Sequence, residues 1–204
     1  MAFRQQTGAN SPRPGRGGWI TVSGIVVWRL FWLVLLLAQG ARSQDQAPSE
    51  YQVKAAFLYN FTKFVEWPAS AFPEASTPFT IGIIGENPFG GELERAVKNK
   101  DVGGHRFAVK EIKSLSELKS CHILFISKSE RRRLAEILAA VGSAPVLTVS
   151  ETDRFLQAGG LINFLLEGNK VRFEISDPAA KSAGLKISSK LLHLARRPNR
   201  EGAK

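Results

Sequence analysis

The 204-residue sequence has only one cysteine, Cys121, and three histidines. One thiol cannot form a disulfide within the chain, so a disulfide framework is excluded. We interpret Cys121 as a free, buried thiol, with an intermolecular or redox role as the alternative. His105, His122 and His193 have no metal-ligand neighbour at close spacing, and no metal site is predicted.

Sequence signatures of catalysis and of nucleotide binding are also missing. The chain has no G-x-G-x-x-G pattern, no Walker lysine and no G-x-S-x-G elbow. Glu151 and Asp153 are close in sequence, but two acids before a helix more often favour its dipole than act as an acid–base pair. We therefore expect a protein that is not an enzyme and that holds no cofactor.

Acidic residues are absent from the first 43 residues, which contain five arginines. They account for half of the formal net charge of +10, because 23 basic residues remain against 18 acidic ones without them. The folded part is therefore only mildly basic. No basic stripe interleaved with aromatic residues is present, so nucleic-acid binding is not expected.

Residues 1–43 are typical of a signal peptide. An apolar stretch, Leu30–Ala38, is followed by small residues at the −3 and −1 positions of a cleavage site between Ser43 and Gln44. The alternative is an uncleaved membrane anchor over Trp19–Ala38, which is about long enough to span a bilayer. Both interpretations place the following domain outside the cytoplasm.

The strongest local pattern is a β-hairpin between Leu161 and Ser176. Gly168 and Asn169 tolerate the positive φ of a two-residue turn, and this turn sets the register of the two strands. Since side chains alternate along a strand, three apolar pairs should share the buried face. The pairs are Leu166 with Val171, Phe164 with Phe173, and Ile162 with Ile175. Arg172 and Glu174 fall on the other, mostly polar face.

A first helix is predicted from a capping box at Ser49 and Gln52. Its aromatic face should pack in the core, with a surface for a partner or for lipid as the alternative. We expect Trp67 before Pro68 to end the helix, since a residue before proline avoids the helical region. The candidate partner-surface residues are Phe57, Phe61, Phe64 and Trp67.

Apolar strands alternate with helices through the middle of the chain, which predicts an α/β sheet. The antiparallel hairpin makes the sheet mixed, and two helices follow it, beginning at Asp177 and Ser188. We also expect a helix capped by Ser129 and a short one over Thr152–Ala158. Residues 44–198 should form a single domain, and 199–204 a basic, disordered tail.

A glycine-rich loop follows the first apolar strand, at the end where open α/β sheets usually bind ligands. The alternative is a tight strand-to-helix turn with no ligand. The candidate ligand or partner residues of this loop are Gly85, Glu86, Asn87, Phe89 and Gly90.

Three ordered blocks of the sequence resemble the YfiR/HmsC-like family of periplasmic regulatory proteins. The first is YQVKAAFLYNFTKFVEWP at Tyr51–Pro68, and the second is GIIGENPFG, which ends at Gly90. The third lies between Gly159 and Ala195 and contains GGLINF, KVRFEIS and GLKISSKLLHLA. Together they cover about residues 50–196, nearly the whole predicted domain.

The resemblance implies a Rossmann-like α/β domain in the periplasm, with helices on both faces of its sheet. It further implies a non-enzymatic regulator that binds and restrains a membrane signalling protein. The expected partner is the periplasmic sensor domain of an inner-membrane diguanylate cyclase, whose inhibition lowers cyclic-di-GMP and biofilm formation. The alternative is a periplasmic small-molecule-binding domain that uses the Gly85–Gly91 loop.

A homodimer is a further expectation from the resemblance, and membrane contact is expected only through an uncleaved N-terminus. A member of the family is a redox-responsive dimer with disulfides. This chain departs from that pattern, because Cys121 cannot form two intramolecular bridges.

Overall fold

The structure is a computed structural model, and it describes residues 48–197. The predicted signal peptide, its cleavage site at Ser43 and Gln44, and the predicted tail at 199–204 lie outside the described residues. Between residues 48 and 197 no helix is long and apolar enough to cross a membrane.

A seven-stranded sheet forms the centre of the domain, in the order β3-β4-β2-β5-β6-β7-β8. Its bounds are β2 Phe79–Ile84, β3 Asp101–Val102, β4 His105–Ile112, β5 Ile123–Ile126, β6 Leu147–Ser150, β7 Ile162–Glu167 and β8 Lys170–Ile175. Strands β4, β2, β5, β6 and β7 are parallel, whereas β3 and β8 are antiparallel edge strands. Two short strands, β1 Val65–Glu66 and β9 Lys186–Ile187, pair separately.

Helices cover both faces of the sheet. They are α1 Glu50–Phe61, α2 Glu92–Val97, α3 Leu134–Val141, α4 Asp177–Ser182 and α5 Ser189–Leu194, with 3-10 turns at Ala69–Ala71, Leu115–Ser120 and Lys128–Arg133. One core lies between the sheet and buried residues of α1, α2, α4 and α5, and a second lies under α3. The predicted α/β fold, with its C-terminal hairpin and two following helices, is confirmed.

The hairpin β7–β8 has the predicted register at all six pairs. Its inner pairs are buried, because the rings of Phe57 and Phe61 on α1 pack against Phe164 and Phe173. The outermost pair differs from the prediction, since the Leu166 side chain is 54% exposed. The apolar face therefore extends beyond the part of the hairpin that is buried.

Helix α1 begins at the predicted capping box but ends earlier than predicted. The box is complete, with Ser49 accepting from Gln52 and the Gln52 side chain accepting from Ser49. The helix stops at Phe61 instead of continuing to Trp67. The reason is tertiary, because Val65 leaves the helical path to pair with Ile187 in β9.

Two further local predictions are wrong. Residues 152–158 form turns and no helix, and Arg154 has a positive φ of 59°. Ser127, rather than Ser129, caps the 3-10 turn that leads into α3. The Ser129 hydroxyl instead accepts from the backbone N–H of Glu86 at 2.9 Å. Ser129 therefore contacts the chain just after β2. The sequence pattern does not show that this strand end lies next to Ser129.

Candidate functional site

The carboxyl ends of β2, β5 and β6 meet the first turns of α1 at one edge of the sheet. Ligands of open α/β sheets usually bind at this edge. The Gly85–Gly91 loop follows β2, Ser127 follows β5 and Glu151 follows β6. The predicted loop and these polar residues therefore meet at one edge of the sheet, which makes this edge the candidate site.

A buried ion pair between Lys54 and Glu151 forms the centre of this edge. Their side chains are 2% and 4% exposed, and the ammonium group of Lys54 also contacts the half-buried carboxylate of Glu50. Lys128 approaches the other oxygen of Glu151 at 3.7 Å, and the Tyr51 hydroxyl donates to that oxygen at 3.0 Å. A buried charge is stable only when it is paired and hydrogen-bonded, as both charges are here.

Tyr51 acts in this cluster as a hydrogen-bond donor. Burial, followed by the negative charge of Glu151 and the hydrogen bond to it, raises the pKa of Tyr51 to about 12. The hydroxyl therefore keeps its proton at neutral pH. The amine of Lys54 is held by two carboxylates, those of Glu50 and Glu151, so the cluster ties α1 to the sheet.

Sequence reasoning missed Lys54, although one signal for it was present. Lys54 lies seven residues before Phe61 and therefore on the buried face of the helix. A charged residue at a core position of an amphipathic helix implies a buried partner of opposite charge. Its partner, Glu151, is 97 residues away in sequence.

The Asn87 side chain of the Gly85–Gly91 loop is hydrogen-bonded within the protein. The Asn87 side chain accepts from the backbone N–H of Phe89 at 3.0 Å and donates to Glu111 at 3.4 Å. The Phe89 ring is 2% exposed and meets Tyr51 and Phe125 edge-on. Phe89 therefore anchors the loop in the core instead of presenting its ring to a ligand.

Glycine is required at position 85. Its φ is 89°, and a Cβ atom there would lie 2.4 Å from the Ser129 hydroxyl. Gly90 and Gly91 also have positive φ, and Gly91 is the N-cap of α2. These features are those of a tight strand-to-helix turn.

A cleft of about 840 Å³ opens elsewhere, between α2 and β4. Its walls include Arg95, Lys98, Arg106 and Phe107, and none of the candidate loop residues lines it. Ligand binding by the Gly85–Gly91 loop stays a prediction.

The four aromatic residues proposed for a partner surface lie at different depths. Phe61 is fully buried, so its side chain belongs to the core and presents no surface. Phe57, Phe64 and Trp67 are half-buried and pack against the same core. The aromatic face of α1 is thus largely covered by the hairpin, as the core interpretation predicted.

Within residues 48–197, two large apolar residues are exposed. The side chains of Leu166 and Leu194 are 54% and 69% exposed. Leu194 lies two residues before Arg196, whose backbone N–H donates to the carbonyl of Phe173 at 2.8 Å and whose guanidinium pairs with Glu167. The C-terminal segment and the hairpin tip are therefore joined, and each carries one exposed leucine. We call these residues, Leu166 and Leu194, the leucine surface.

Cys121 and His122 point to opposite faces of the sheet, as predicted. Cys121 is a free thiol in the core under α3, and its side chain is buried, as expected. Burial raises the pKa of Cys121 to about 11. His122 packs on the other side, among aromatic rings.

Comparisons with known proteins identify one family. A family model described as YfiR/HmsC-like matches residues 51–196. No curated protein matches the chain. One similar solved structure is a conserved domain protein from Vibrio cholerae O1 biovar El Tor, with a TM-score of 0.48 and 10% identity. The match covers 73% of this chain and 60% of that one.

Proposed function

The chain belongs to the YfiR/HmsC-like family of periplasmic regulatory proteins, and we propose that it binds and restrains a membrane signalling protein. The proposed partner is the periplasmic sensor domain of an inner-membrane diguanylate cyclase. Binding would hold the cyclase inactive and so lower cyclic-di-GMP and biofilm formation.

The leucine surface is the observation that carries this proposal. Large apolar side chains in contact with water favour a protein interface when they lie together with polar groups at the rim. Here the ion pair between Arg196 and Glu167 joins the two segments that carry the leucines, and side-chain alternation places Glu167 on the other face of the hairpin from Leu166. A partner that covers both leucines would bury apolar area beside the paired strands of the hairpin.

The outer edge of β8 adds a second feature to this surface. Among the described residues, its backbone is paired only near its end, through the bridge between Glu174 and Arg196 and the hydrogen bond to Phe173. On the side away from β7, the tip of β8 from Lys170 to Arg172 has no strand beside it in the described part of the chain. An open strand edge can pair with an extended segment of a partner.

The buried polar cluster at the other edge of the sheet supports a regulator over an enzyme. The buried groups Lys54 and Glu151 pair with each other, and the Tyr51 hydroxyl donates to Glu151. Their contacts hold α1 in place. A partner would therefore bind to exposed groups of the surface, because the groups of the cluster are buried and already paired.

The test measures cyclic-di-GMP in a strain that lacks the gene and is complemented with variants of the full chain. We expect deletion to raise cyclic-di-GMP several-fold and the unaltered chain to restore the low level. The double variant Leu166→Glu, Leu194→Glu should fail to restore it, although it is exported and folded. A tagged, unaltered chain should capture an inner-membrane protein with a periplasmic domain.

The double variant Ala135→Glu, Ala139→Glu is the matched control, because it adds the same two charges at exposed positions of α3, on the opposite face of the sheet. It should restore the low level. Full activity of the double leucine variant would refute the leucine surface. Unchanged cyclic-di-GMP after deletion, together with capture of no membrane protein, would refute the proposed function itself.

A further inference from the structure

Four aromatic rings form a continuous stack at the amino ends of the parallel strands, on the edge opposite the Lys54–Glu151 pair. The ring centroids of His105 and Phe72 are 4.2 Å apart, those of Phe72 and His122 are 4.5 Å apart, and those of His122 and Phe79 are 4.7 Å apart. The rings are inclined by only 20° to 26° to one another. Phe72 belongs to the segment 68–78, whereas the other three rings lie at strand beginnings.

The hydrogen bonds of His122 define its protonation state. Its Nδ1 accepts from the backbone N–H of Thr80 at 3.0 Å, and its Nε2 lies 3.0 Å from the carbonyl oxygen of Ala71. An amide N–H can only donate and a carbonyl can only accept, so the ring is neutral and carries its proton on Nε2. A second proton on Nδ1 would face the N–H of Thr80 and would break that hydrogen bond.

His105 holds the same segment at a second point. Its Nδ1 lies 2.7 Å from the carbonyl oxygen of Thr77, to which it donates. The segment 68–78 is therefore attached at Ala71 and Thr77 by two histidines, and Phe72 is inserted between their rings. These contacts come from three strand beginnings that lie side by side in the sheet.

We propose that His122 and His105 form an acid-sensitive latch, which holds the segment 68–78 closed at neutral pH and releases it when His122 is protonated. Release would separate Ala71 and Phe72 from His122 and uncover Phe79, which is 1% exposed in the closed state. The latch is independent of the leucine surface and of the partner proposed for it.

The direction of the pH dependence follows from burial. Desolvation lowers the pKa of His122, the hydrogen bond to Ala71 partly opposes this effect, and the charge of His105 lowers the pKa further. His105 on β4 is the titratable group that the electrostatics couple to His122, and Thr80 of β2 and Ala71 of the segment contact it through neutral backbone groups. The acid of the segment, Glu74, is exposed, and its carboxylate accepts from Ser76.

Proton uptake therefore favours the open state. In a released segment His122 regains an ordinary pKa of about 6.5. Above about pH 6.5 both states are neutral at this ring and the latch does not depend on pH. Below it the open state binds a proton that the closed state does not, so the opening equilibrium rises up to about tenfold per pH unit until the closed-state pKa is reached.

Trp67 can report on the latch. Its ring meets Phe79 edge-on at 4.9 Å, and its Nε1 donates to the backbone oxygen of His122 at 3.2 Å. The other tryptophans of the chain are Trp19, Trp28 and Trp32. In a full chain that carries Phe at those three positions, Trp67 is the only tryptophan.

The experiment titrates that chain from about pH 7.5 to 4.5 at constant ionic strength. We expect the emission of Trp67 to shift to the red and its quenching by acrylamide to increase below about pH 6, while the far-UV circular dichroism stays constant. The amide of Thr80 should lose protection from hydrogen exchange in step with this change. Exchange in the unaltered chain tests the latch without any substitution.

Substitutions of the three histidines separate the latch from other effects of acid. His122→Phe keeps an aromatic ring in the stack but cannot take up a proton, so it should abolish the acid response. His105→Phe removes a charge that lowers the pKa of His122 in the closed state, so the total rise in opening on acidification should be smaller. His193→Phe is the control, because His193 is exposed on α5 and should leave the response unchanged.

Three results would overturn the proposal. One is an acid response that persists in His122→Phe. Another is a Trp67 signal that changes only together with the far-UV circular dichroism, which would mean global unfolding. The third is an amide of Thr80 whose protection does not fall between about pH 7.5 and 4.5.

Discussion

Replacing Lys54 by methionine would test the buried polar cluster most directly. The substitution keeps the length of the side chain and removes its charge. Glu151 then keeps its negative charge at a side chain that is 4% exposed, with only Lys128, at 3.7 Å, as a remaining cationic partner. The perturbation therefore creates a buried, poorly paired carboxylate.

The expected loss can be estimated from burial. Removing one partner of a buried ion pair typically costs about 3–5 kcal/mol of the free energy of unfolding. Lys128 and the Tyr51 hydroxyl still contact Glu151, which places the expected value near the lower limit, at about 3 kcal/mol. The pair with Glu50 adds little, because that carboxylate is 34% exposed.

Urea denaturation at neutral pH measures this loss. With a slope of about 2 kcal/mol per molar urea, a loss of about 3 kcal/mol lowers the midpoint by about 1.5 M. The double variant Lys54→Met, Glu151→Gln should recover most of it, because no unpaired charge remains and the amide oxygen still accepts from Tyr51. The difference between the single and double variants isolates the coupling of the pair.

Arg133→Met provides the matched control. Arg133 also contacts two carboxylates, those of Glu130 and Glu136, but its side chain is 52% exposed. Its removal should leave the midpoint unchanged within the error of the measurement. If Lys54→Met shifts the midpoint no more than Arg133→Met does, the cluster does not hold α1 to the sheet.

Three further predictions concern the hairpin and the second core. Phe173→Asp should unfold the domain, because it buries an unpaired carboxylate, whereas Arg172→Glu at an exposed position of the same strand should change the free energy of unfolding by less than about 1 kcal/mol in the same urea assay. A large loss from Arg172→Glu alone would contradict the assigned faces. Gly82→Ala should cost about 1–3 kcal/mol in that assay, because its Cβ atom would lie 2.4 Å from the Cys121 sulfur and 2.9 Å from Cγ1 of Ile112. Cys121→Ala should relieve the part of the loss that comes from the sulfur, and no relief would exclude that clash. The pKa of Cys121, raised to about 11 by burial, should make alkylation by iodoacetamide at about pH 8 at least about 100-fold slower in the folded chain than in urea, and equal rates would show an exposed thiol.

The hairpin shows how far periodicity can predict structure. The turn at Gly168 and Asn169 and the alternation of side chains are local, so they specify all six pairs of the register. They do not specify how far a covering helix extends. Leu166 shares a face with Phe164 but is exposed, because the rings of α1 that cover the hairpin pack on Phe164 and Phe173.

The end of α1 shows a competition between local and distant signals. Trp67 before Pro68 is a local stop signal, and it predicts a helix that continues past Phe64. In the structure the chain leaves the helix at Phe61, and Val65 pairs with Ile187. A partner 122 residues further along the chain cannot be read from the residues around the helix end.

The candidate sites also combine features that the sequence predicts with features that only the folded structure shows. The sequence located the glycine-rich loop and the aromatic face, because both depend on residue types at short spacing. It did not show that Phe89 and Phe61 are buried, that Lys54 meets Glu151, or that two histidines enclose Phe72. Those contacts join different strands and helices.

The sequence by itself determined the class of the protein: an α/β domain with a C-terminal hairpin, one thiol and the motifs of the YfiR/HmsC-like family. Turn residues, caps and side-chain alternation act over a few residues, so they can be recognised in the sequence alone. Tertiary structure decided which apolar residues stay exposed, which charges are buried as pairs and which rings stack. These outcomes depend on the packing of segments about 100 residues apart, such as Lys54 against Glu151, and only the folded chain brings such segments together.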